Sequence, residues 1–221
     1  LYEKIVDRYE SKKSNEDLFI MSISMQNHGG YTEKYDNFDE KARMLGINYP
    51  DVNQYLSLIH ESDSALEYLI SYFEKVDDPV EIVFFGDHQP SLSSSFYPYL
   101  NGKGLGGLTL SELENLYTVP FFIWTNYDSG KESVELTSLN YLSTLALERA
   151  GIALPAYNQF LADMMEEIPA VNSRGFYSKS QGKFLHVEDA AGEDAKWLKN
   201  YEILQYNNMF DKRNKSGLFF P

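Results

Sequence analysis

Cysteine is absent from all 221 residues of the sequence. Disulfide bonds, thiolate catalysis and cysteine-based zinc sites are therefore excluded for this chain. Long apolar runs are also absent, and no stretch reaches the roughly 20 residues that a membrane-spanning helix needs. The lack of Cys fits an extracytoplasmic bacterial domain, although it fits many cytosolic proteins equally well.

Positive charge is scarce, since 19 Lys and Arg face 33 Asp and Glu, which gives a formal net charge of -14. The phosphates of a nucleic acid would be repelled, so we predict no nucleic-acid partner. A small anionic substrate is not excluded, because a bound metal ion can reverse the local field. The apolar content of 43% is typical of a globular chain with a buried core.

Hydrophobic periodicity predicts strands that alternate with helices. The predicted strands cover residues 18–25, 80–85, 118–124 and 182–188. The predicted helices cover residues 1–9, 51–76 with Asp51 as N-cap, 109–117, 135–150, 157–168 and 191–210. Such alternation predicts an α/β fold with a mainly parallel sheet and helices on both faces. No internal repeat or linker is visible, so we predict a single domain over residues 1–221.

The strand over residues 80–85 runs directly into Gly86, Asp87 and His88, and Pro90 follows. Gly86 permits a sharp change of backbone direction, and Pro90 prevents a return to regular structure. A carboxylate and an imidazole would then stand side by side at the carboxyl end of a buried strand, where α/β sheets place ligands. Together they are two plausible ligands of a divalent metal ion. The alternative is that Asp87 caps the next turn and His88 is an ordinary loop residue.

A second predicted strand, over residues 18–25, also ends in a histidine-containing loop, with His28 followed by Gly29 and Gly30. A simple turn is the alternative interpretation, because Asn and Gly are common turn residues. Two such loops in one chain are harder to dismiss than one. The serines over residues 91–95 are interpreted as loop, because no base or nucleophile motif accompanies them.

Residues 25–31 (MQNHGGY) and 85–90 (FGDHQP) together resemble two motifs of a known family. They are similar to the sulfatase-like membrane phosphoglycerol transferases, which include the lipoteichoic acid synthases, within the alkaline phosphatase superfamily. The similarity spans most of the chain, roughly residues 18–210. It includes residues 119–124, 136–151 and 204–206. The resemblance implies an alkaline-phosphatase/sulfatase-like fold.

The resemblance also implies roles for three residues. Asp87 and His88 correspond to ligands of a catalytic divalent metal, for which Mn is favoured and Mg, Ca or Zn are alternatives. His28 corresponds to a residue that contacts the transferred phosphate group. A metal ion so held polarises a phosphoryl oxygen, and a histidine donor stabilises charge that develops in the transition state.

The family has a Thr nucleophile and a further acidic metal ligand, and neither has a counterpart in this chain. The chain begins with Leu1 inside a predicted helix, so we expect it to be the carboxyl-terminal portion of a longer catalytic domain, with an incomplete sheet. On that view the chain holds half of an active site and is inactive alone. The parent protein is expected to contact the membrane through its upstream region and to act on the extracytoplasmic face of a bacterial cell membrane. The carboxyl-terminal portion itself is expected to be soluble.

Three functional hypotheses follow. In a phosphoglycerol transferase, Thr attacks a glycerophospholipid donor, and a cell-envelope polymer hydroxyl resolves the phospho-Thr intermediate. In a sulfatase or phosphodiesterase of the same superfamily, water resolves the intermediate formed from a phosphate or sulfate ester. In a catalytically silent surface domain, the abundant Tyr, 17 in all, would serve binding instead.

Overall fold

The computed structural model describes residues 1–33, 35–213 and 217–219. Its helices are α1 Tyr2–Glu10, α2 Pro50–Phe73, α3 Phe96–Asn101, α4 Leu110–Asn115, α5 Leu142–Arg149, α6 Ala156–Glu167 and α7 Gly192–Phe210. Its strands are β1 Glu81–Phe85, β2 Phe121–Thr125, β3 Gly175–Ser178 and β4 Lys183–His186. Within the described ranges, no helix combines the length and the apolar character needed to cross a membrane.

The chain divides into two compact units. The first unit contains Leu1–Val80 and Asp87–Gly107, and the second contains Glu81–Gly86 and Leu108–Pro221. The predicted single domain over residues 1–221 stays a prediction.

In the first unit, α1 packs against α2 through an apolar and aromatic contact. Val6 is buried in this contact, and the ring of Tyr9 meets the ring of Phe73 edge-on, with centroids 5.1 Å apart. The Tyr9 hydroxyl donates a hydrogen bond to the carboxylate of Asp78 at 2.9 Å. The apolar residues that the sequence places at helical spacing over residues 1–9 thus lie on the face of α1 that packs against α2.

Helix α2 begins at Pro50, and Tyr49 is its N-cap without a side-chain hydrogen bond. The prediction that Asp51 caps the helix is wrong by two positions. Pro is favoured in the first turn because its missing N–H would have no helical partner there. Asp51 lies in that first turn, where its negative charge is favourable. Its carboxylate accepts a hydrogen bond from a segment outside the helix.

In the second unit, β1 pairs with β2 in the antiparallel direction, with Phe84 opposite Phe122. Their rings stack with centroids 5.3 Å apart. The prediction of a mainly parallel sheet is wrong for these strands, which form a two-stranded antiparallel sheet. The segment between them, from Gly86 to Pro120, is long enough for either direction of pairing, so its length does not decide the direction.

The strand predicted over residues 18–25 is not part of either sheet. Its apolar run was the basis of the prediction, but a strand also needs a neighbour for its backbone groups. No neighbour is present in the part of the chain that the structure describes.

The core of the second unit is a cluster of six buried side chains. These are Tyr141, Leu161, Met164, Ile168, Phe176 and Tyr201. The Tyr141 hydroxyl donates a hydrogen bond to the backbone carbonyl of Ile168 at 2.7 Å, so the buried phenol has a hydrogen-bond partner inside the core. Burial raises the pKa of both tyrosines above the ordinary value, to about 12 for Tyr201.

The strands β3 and β4 form an antiparallel hairpin beside this core. The sequence predicted a strand only over residues 182–188, which corresponds to β4, and it missed β3. Gly175 at the start of β3 lies so close to β4 that an added Cβ would be 2.8 Å from the Leu185 carbonyl oxygen. Glycine at this position is therefore required by space.

Candidate functional site

Gly86 lies between β1 and the Asp87–His88 pair, and its role differs from the predicted one. Its φ is not in the left-handed region. Instead, a Cβ at this position would be 3.0 Å from Cβ of Val119, so the backbone needs the space that glycine leaves. The Gly86 N–H donates to the Pro120 carbonyl at 3.1 Å, which continues the pairing of β1 beyond its last residue.

Asp87 and His88 follow β1 immediately, as the sequence predicted, and both side chains are largely exposed, at 76% and 66%. Oδ1 of Asp87 accepts a hydrogen bond from the His88 backbone N–H at 2.9 Å. Oδ2 of the same carboxylate lies 3.6 Å from Nε2 of His88. The two side chains therefore face each other.

The other ring nitrogen of His88 fixes the tautomer of the imidazole. Nδ1 lies 2.9 Å from the backbone carbonyl oxygen of Gln89. Because a carbonyl can only accept a hydrogen bond, Nδ1 must carry the proton in this contact. In the neutral ring, Nε2 is then the unprotonated nitrogen and presents its lone pair beside the Asp87 carboxylate.

This arrangement fits two ligands of a divalent ion. Metal–ligand bonds of about 2.1 Å place neighbouring ligand atoms roughly 3.0 to 3.4 Å apart, close to the observed 3.6 Å. Metal-binding histidines commonly donate their second N–H to a backbone carbonyl, as His88 does here. Among the residues described, however, no group of three or more His, Asp or Glu side chains is arranged to hold a metal ion. The roles of Asp87 and His88 as metal ligands therefore stay a prediction.

The loop that carries His28 is held by the middle of α2. The hydroxyl of Ser62 donates to Oδ1 of Asn27 at 3.1 Å, and Nε2 of Gln26 lies 3.4 Å from the Leu58 carbonyl and 3.4 Å from the Ser62 hydroxyl. His28 itself is exposed, and its backbone N–H donates to the Met25 carbonyl at 3.2 Å. The histidine therefore projects from a turn whose two preceding residues are fixed to a helix.

Tyr31 closes the far side of the same loop. Its ring is buried against Tyr55 of α2, with centroids 5.5 Å apart, and its hydroxyl donates to the Asn27 carbonyl at 2.7 Å. Burial raises the pKa of Tyr31, and the neighbouring Tyr55 adds to the effect. The phenol thus stays protonated at neutral pH and keeps its role as donor. Gly30, at φ 101°, supplies the turn between His28 and this anchor.

Helix α2 also carries a buried polar stripe of Asn53, Gln54 and Ser57. These side chains hydrogen-bond at 2.9 to 3.1 Å to backbone groups of Glu33, Lys41, Ala42 and Met44. These backbone groups lie outside regular structure, and side chains of α2 supply their hydrogen-bond partners. Beside it lies an open depression of about 430 Å³, lined by residues of the segment 43–48 and by Asn53.

The segment after His88 is fixed to the first turn of α2. The Asp51 carboxylate accepts from the Ser93 backbone N–H at 2.7 Å, and the Tyr49 hydroxyl donates to the Ser95 carbonyl at 3.1 Å. The ring of Tyr49 also meets Phe96 edge-on, with centroids 5.2 Å apart. Consistent with the sequence interpretation, the serines over residues 91–95 form a loop that leads into α3.

One helix therefore supports both motif loops of the first unit. The loop of His28 is fixed near Ser62, and the segment after His88 is fixed near Asp51. At 1.5 Å per residue, these two anchor points lie roughly 16 Å apart along α2. No hydrogen bond or ion pair joins His28 to Asp87 or His88 in the described structure.

Sequence reasoning missed these supporting residues. The sequence predicts a helix over residues 51–76, but its pattern assigns no role to the polar residues on it. A signal was present, because Asn53, Gln54 and Ser57 lie at helical spacing on one face, next to a long segment without periodicity. Polar residues at such spacing are usually solvated, so only the structure shows that they bind backbone.

Three comparisons place this geometry among known proteins. The Sulfatase family profile matches residues 1–152 of the chain. A protein of Rhizobium meliloti (strain 1021) named "Putative cyclic beta-1,2-glucan modification protein" is 23% identical over 211 residues, which cover 92% of this chain and 33% of that protein. The capsular polysaccharide biosynthesis protein RkpI of the same strain is 34% identical over 99 residues, which cover 45% of this chain and 17% of RkpI.

Among solved structures, the Streptococcus pyogenes phosphoglycerol transferase GacH in complex with sn-glycerol-1-phosphate superposes with a TM-score of 0.63. The match is 20% identical in sequence and covers 93% of this chain and 47% of GacH. The likeness confirms the predicted alkaline-phosphatase/sulfatase-like α/β fold class. The chain spans about a third of the glucan modification protein and just under half of GacH.

The resemblance that the two histidine motifs predicted is therefore confirmed by a family profile that covers most of the chain and by a shared fold. On this evidence, the chain belongs to the sulfatase family.

Proposed function

We propose that this chain is part of a metal-dependent phosphoglycerol transferase that acts on cell-envelope polymers. The observation that carries the proposal is the Asp87–His88 pair, in which Nε2 lies 3.6 Å from the carboxylate and Nδ1 lies 2.9 Å from the Gln89 carbonyl oxygen. The neighbour GacH, named a phosphoglycerol transferase, supports the reaction class. The relatives named for glucan modification and capsular polysaccharide biosynthesis support an envelope polymer as acceptor.

In this proposal Asp87 and His88 hold a divalent ion, with Mn favoured. Such an ion, when bound, would polarise a phosphoryl oxygen and stabilise negative charge on it. His28 donates a hydrogen bond to the phosphate group, and the anchors at Ser62 and Tyr31 keep its loop in place for that contact. The Thr nucleophile and the further acidic ligand come from residues of a longer protein outside this chain.

The substrates follow from the same proposal. The donor is a glycerophospholipid, from which a Thr hydroxyl accepts the glycerophosphoryl group while diacylglycerol leaves with the proton. A polymer hydroxyl then takes the group and returns Thr to its starting state. Because the proposed donor is a membrane lipid and the proposed acceptor is an envelope polymer, the proposed reaction takes place at the extracytoplasmic face of the membrane.

The proposal is tested by calorimetric titration of the longer, metal-free protein with Mn²⁺. We expect binding that Asp87→Asn and His88→Ala each weaken at least tenfold, because the first removes the negative charge of one ligand and the second removes the other ligand. The control is His60→Ala, which removes an exposed histidine of α2 and leaves the affinity unchanged. Equal affinity in all four proteins would contradict the metal assignment.

A hydrolase of the same superfamily is the second candidate, and the match to the Sulfatase profile favours it. The two reactions differ in what resolves the intermediate. Phosphatidylglycerol and a chromogenic aryl sulfate are offered to the longer protein, with and without a polymer acceptor. Transfer of glycerophosphate to the acceptor supports the transferase, whereas release of free glycerophosphate or of sulfate to water supports the hydrolase.

A further inference from the structure

The turn that carries Arg174 is fixed on several sides. Val171 and Phe176 form an antiparallel β-bridge across its base, and the Asn172 N–H donates to the Gly175 carbonyl at 2.9 Å. Inside the turn, Oδ1 of Asn172 accepts hydrogen bonds from the backbone N–H groups of Arg174 and Gly175 at 2.8 and 3.0 Å. Because a turn with its backbone groups paired in this way has little conformational freedom, Arg174 starts from a defined backbone position.

A buried carboxylate of α4 supports the same turn. Glu114 is only 6% exposed, and its Oε2 accepts a hydrogen bond from the side-chain amide of Asn172. Its Oε1 is buried without a hydrogen-bond partner in the part of the chain that the structure describes. Burying an unpaired oxygen lowers stability, and natural proteins accept such costs mainly at functional sites. The turn is therefore a candidate for a functional role.

The guanidinium of Arg174 lies over an aromatic ring. Its central carbon is 4.9 Å from the centroid of Tyr117, which follows the end of α4 and is 47% exposed. Arg174 is exposed as well, and its side chain has no hydrogen bond or ion pair within the described ranges. The ring therefore supports the cation from one side, and solvent has access to the rest of it.

The lack of a carboxylate partner distinguishes Arg174 in a chain with 33 Asp and Glu against 19 Lys and Arg. Arg8 pairs with Glu16 at 2.8 Å, and Arg43 pairs with Glu40 at 2.6 Å. A planar guanidinium binds two oxygens of a phosphate group at once, and stacking on an aromatic ring leaves its N–H edge free for that contact. Arg174 is therefore available to an oxyanion from outside the chain.

The chain leads from Tyr117 directly to the end of β1. Val119, two residues later, is the residue whose Cβ limits the space at Gly86, and the Gly86 N–H donates to the carbonyl of Pro120. The Asp–His motif begins with the next residue after Gly86. The ring that supports Arg174 is thus tied to the end of the strand from which that motif leaves.

We infer that Arg174 and Tyr117 form a subsite for a phosphodiester group that the polymer substrate already carries. The inference rests on the proposed function, in which each transfer adds a glycerophosphoryl group, and hence a negative charge, to the polymer. A bare glucan offers no charge to a guanidinium, whereas a substituted glucan presents phosphate oxygens that match it. Partly substituted polymer therefore binds more tightly than bare polymer.

Calorimetric titration of the longer, metal-free protein tests the inference, and the metal assignment does not enter the result. The ligands are a cyclic β-1,2-glucan, the polymer in the name of one relative, with and without glycerophosphoryl substituents. We expect the substituted glucan to bind more tightly, and Arg174→Ala to weaken its binding about tenfold, because a charge-assisted contact is lost. Arg174→Lys should restore only part of the affinity, since an ammonium group lacks the planar fork.

The matched control is Lys183→Ala, which removes an exposed positive charge from β4 and should leave the affinity unchanged. Equal affinity for the two glucans would overturn the inference. So would equal affinity of Arg174→Ala and the unchanged protein for the substituted glucan.

A lipid headgroup carries the same phosphodiester chemistry, so vesicles that contain phosphatidylglycerol are titrated in parallel. If Arg174→Ala weakens binding to these vesicles and not to the substituted glucan, the subsite takes the lipid and the inference is wrong. Failure of the proposed function gives a different result. In that case Mn²⁺ binding or glycerophosphate transfer is absent, while the preference for the substituted glucan and its dependence on Arg174 are still measured.

Discussion

The Ser62 hydroxyl on α2 donates a hydrogen bond at 3.1 Å to Oδ1 of Asn27, the residue directly before His28. This contact fixes a loop without regular structure to the longest helix of the chain. It also makes the position of His28 depend on a residue that is distant in the sequence.

Removal of this anchor should loosen the loop of His28. We expect Ser62→Ala to lower stability by about 1 kcal/mol, since it leaves the half-buried Asn27 amide without its donor. Hydrogen exchange over residues 26–31 should accelerate, as followed by mass spectrometry. The control is Ser64→Ala, which removes a hydroxyl on the same helix that donates only to the His60 carbonyl. Unchanged exchange in Ser62→Ala would contradict the anchoring role.

The segment after His88 should respond to its own anchor. Asp51→Ala removes the acceptor of the Ser93 N–H, so exchange over residues 91–96 should accelerate while that over residues 26–31 stays the same. Asp51→Asn is the matched control, because its amide oxygen still accepts. If Asn and Ala behave alike, the charge of Asp51 in the first turn of α2 matters more than the hydrogen bond.

Space at Gly86 gives a third prediction. Gly86→Ala places a Cβ about 3.0 Å from Cβ of Val119, and we expect overpacking to cost about 1 to 3 kcal/mol in chemical denaturation. Gly104→Ala is the control, because no atom lies within 4 Å of a Cβ there and its φ is not left-handed. The control should be neutral or slightly stabilising, as fewer unfolded conformations are available to Ala. Equal midpoints for the two variants would contradict the steric explanation.

Alkaline pH should destabilise the second unit through its buried phenols. Burial raises the pKa of Tyr201 from 10 to about 12. Between pH 10 and pH 12, the folded state therefore keeps the phenol proton that the unfolded state has already released. Stability is therefore fully present below pH 10 and falls as pH rises towards 12. In Tyr201→Phe, the denaturation midpoint should fall less steeply from pH 10 to 12 than in the unchanged protein. Parallel slopes would contradict the shift.

Local features of the fold were predictable from the sequence. The spacing of apolar residues predicted α1, α6 and α7 within a few residues. The sequence predicts Thr109 or Ser111 as the cap of α4, with Glu112 early in the helix. The structure has Thr109 as the cap, and both hydrogen bonds of a capping box with Glu112 are present. These elements depend on contacts between near neighbours in the chain, which the sequence contains in full.

Long-range features were not predictable in the same way. The direction of pairing between β1 and β2 depends on how the connecting segment returns, and apolar runs carry no information on that. The strand β3 was missed because its four residues give too short a pattern. Residues 18–25 have a strand pattern, yet pairing requires a partner that periodicity cannot supply.

By itself, the sequence determined the residues of the two motifs: an Asp–His pair directly after a strand, a His in a Gly-rich loop, and a pattern specific enough to indicate the sulfatase family. Residue type and immediate neighbours decide these properties. Only the tertiary structure decided that Gly86 leaves space for Val119. It also decided that α2 supports both loops, because hydrogen bonds and steric contacts between distant residues exist only once the chain has folded.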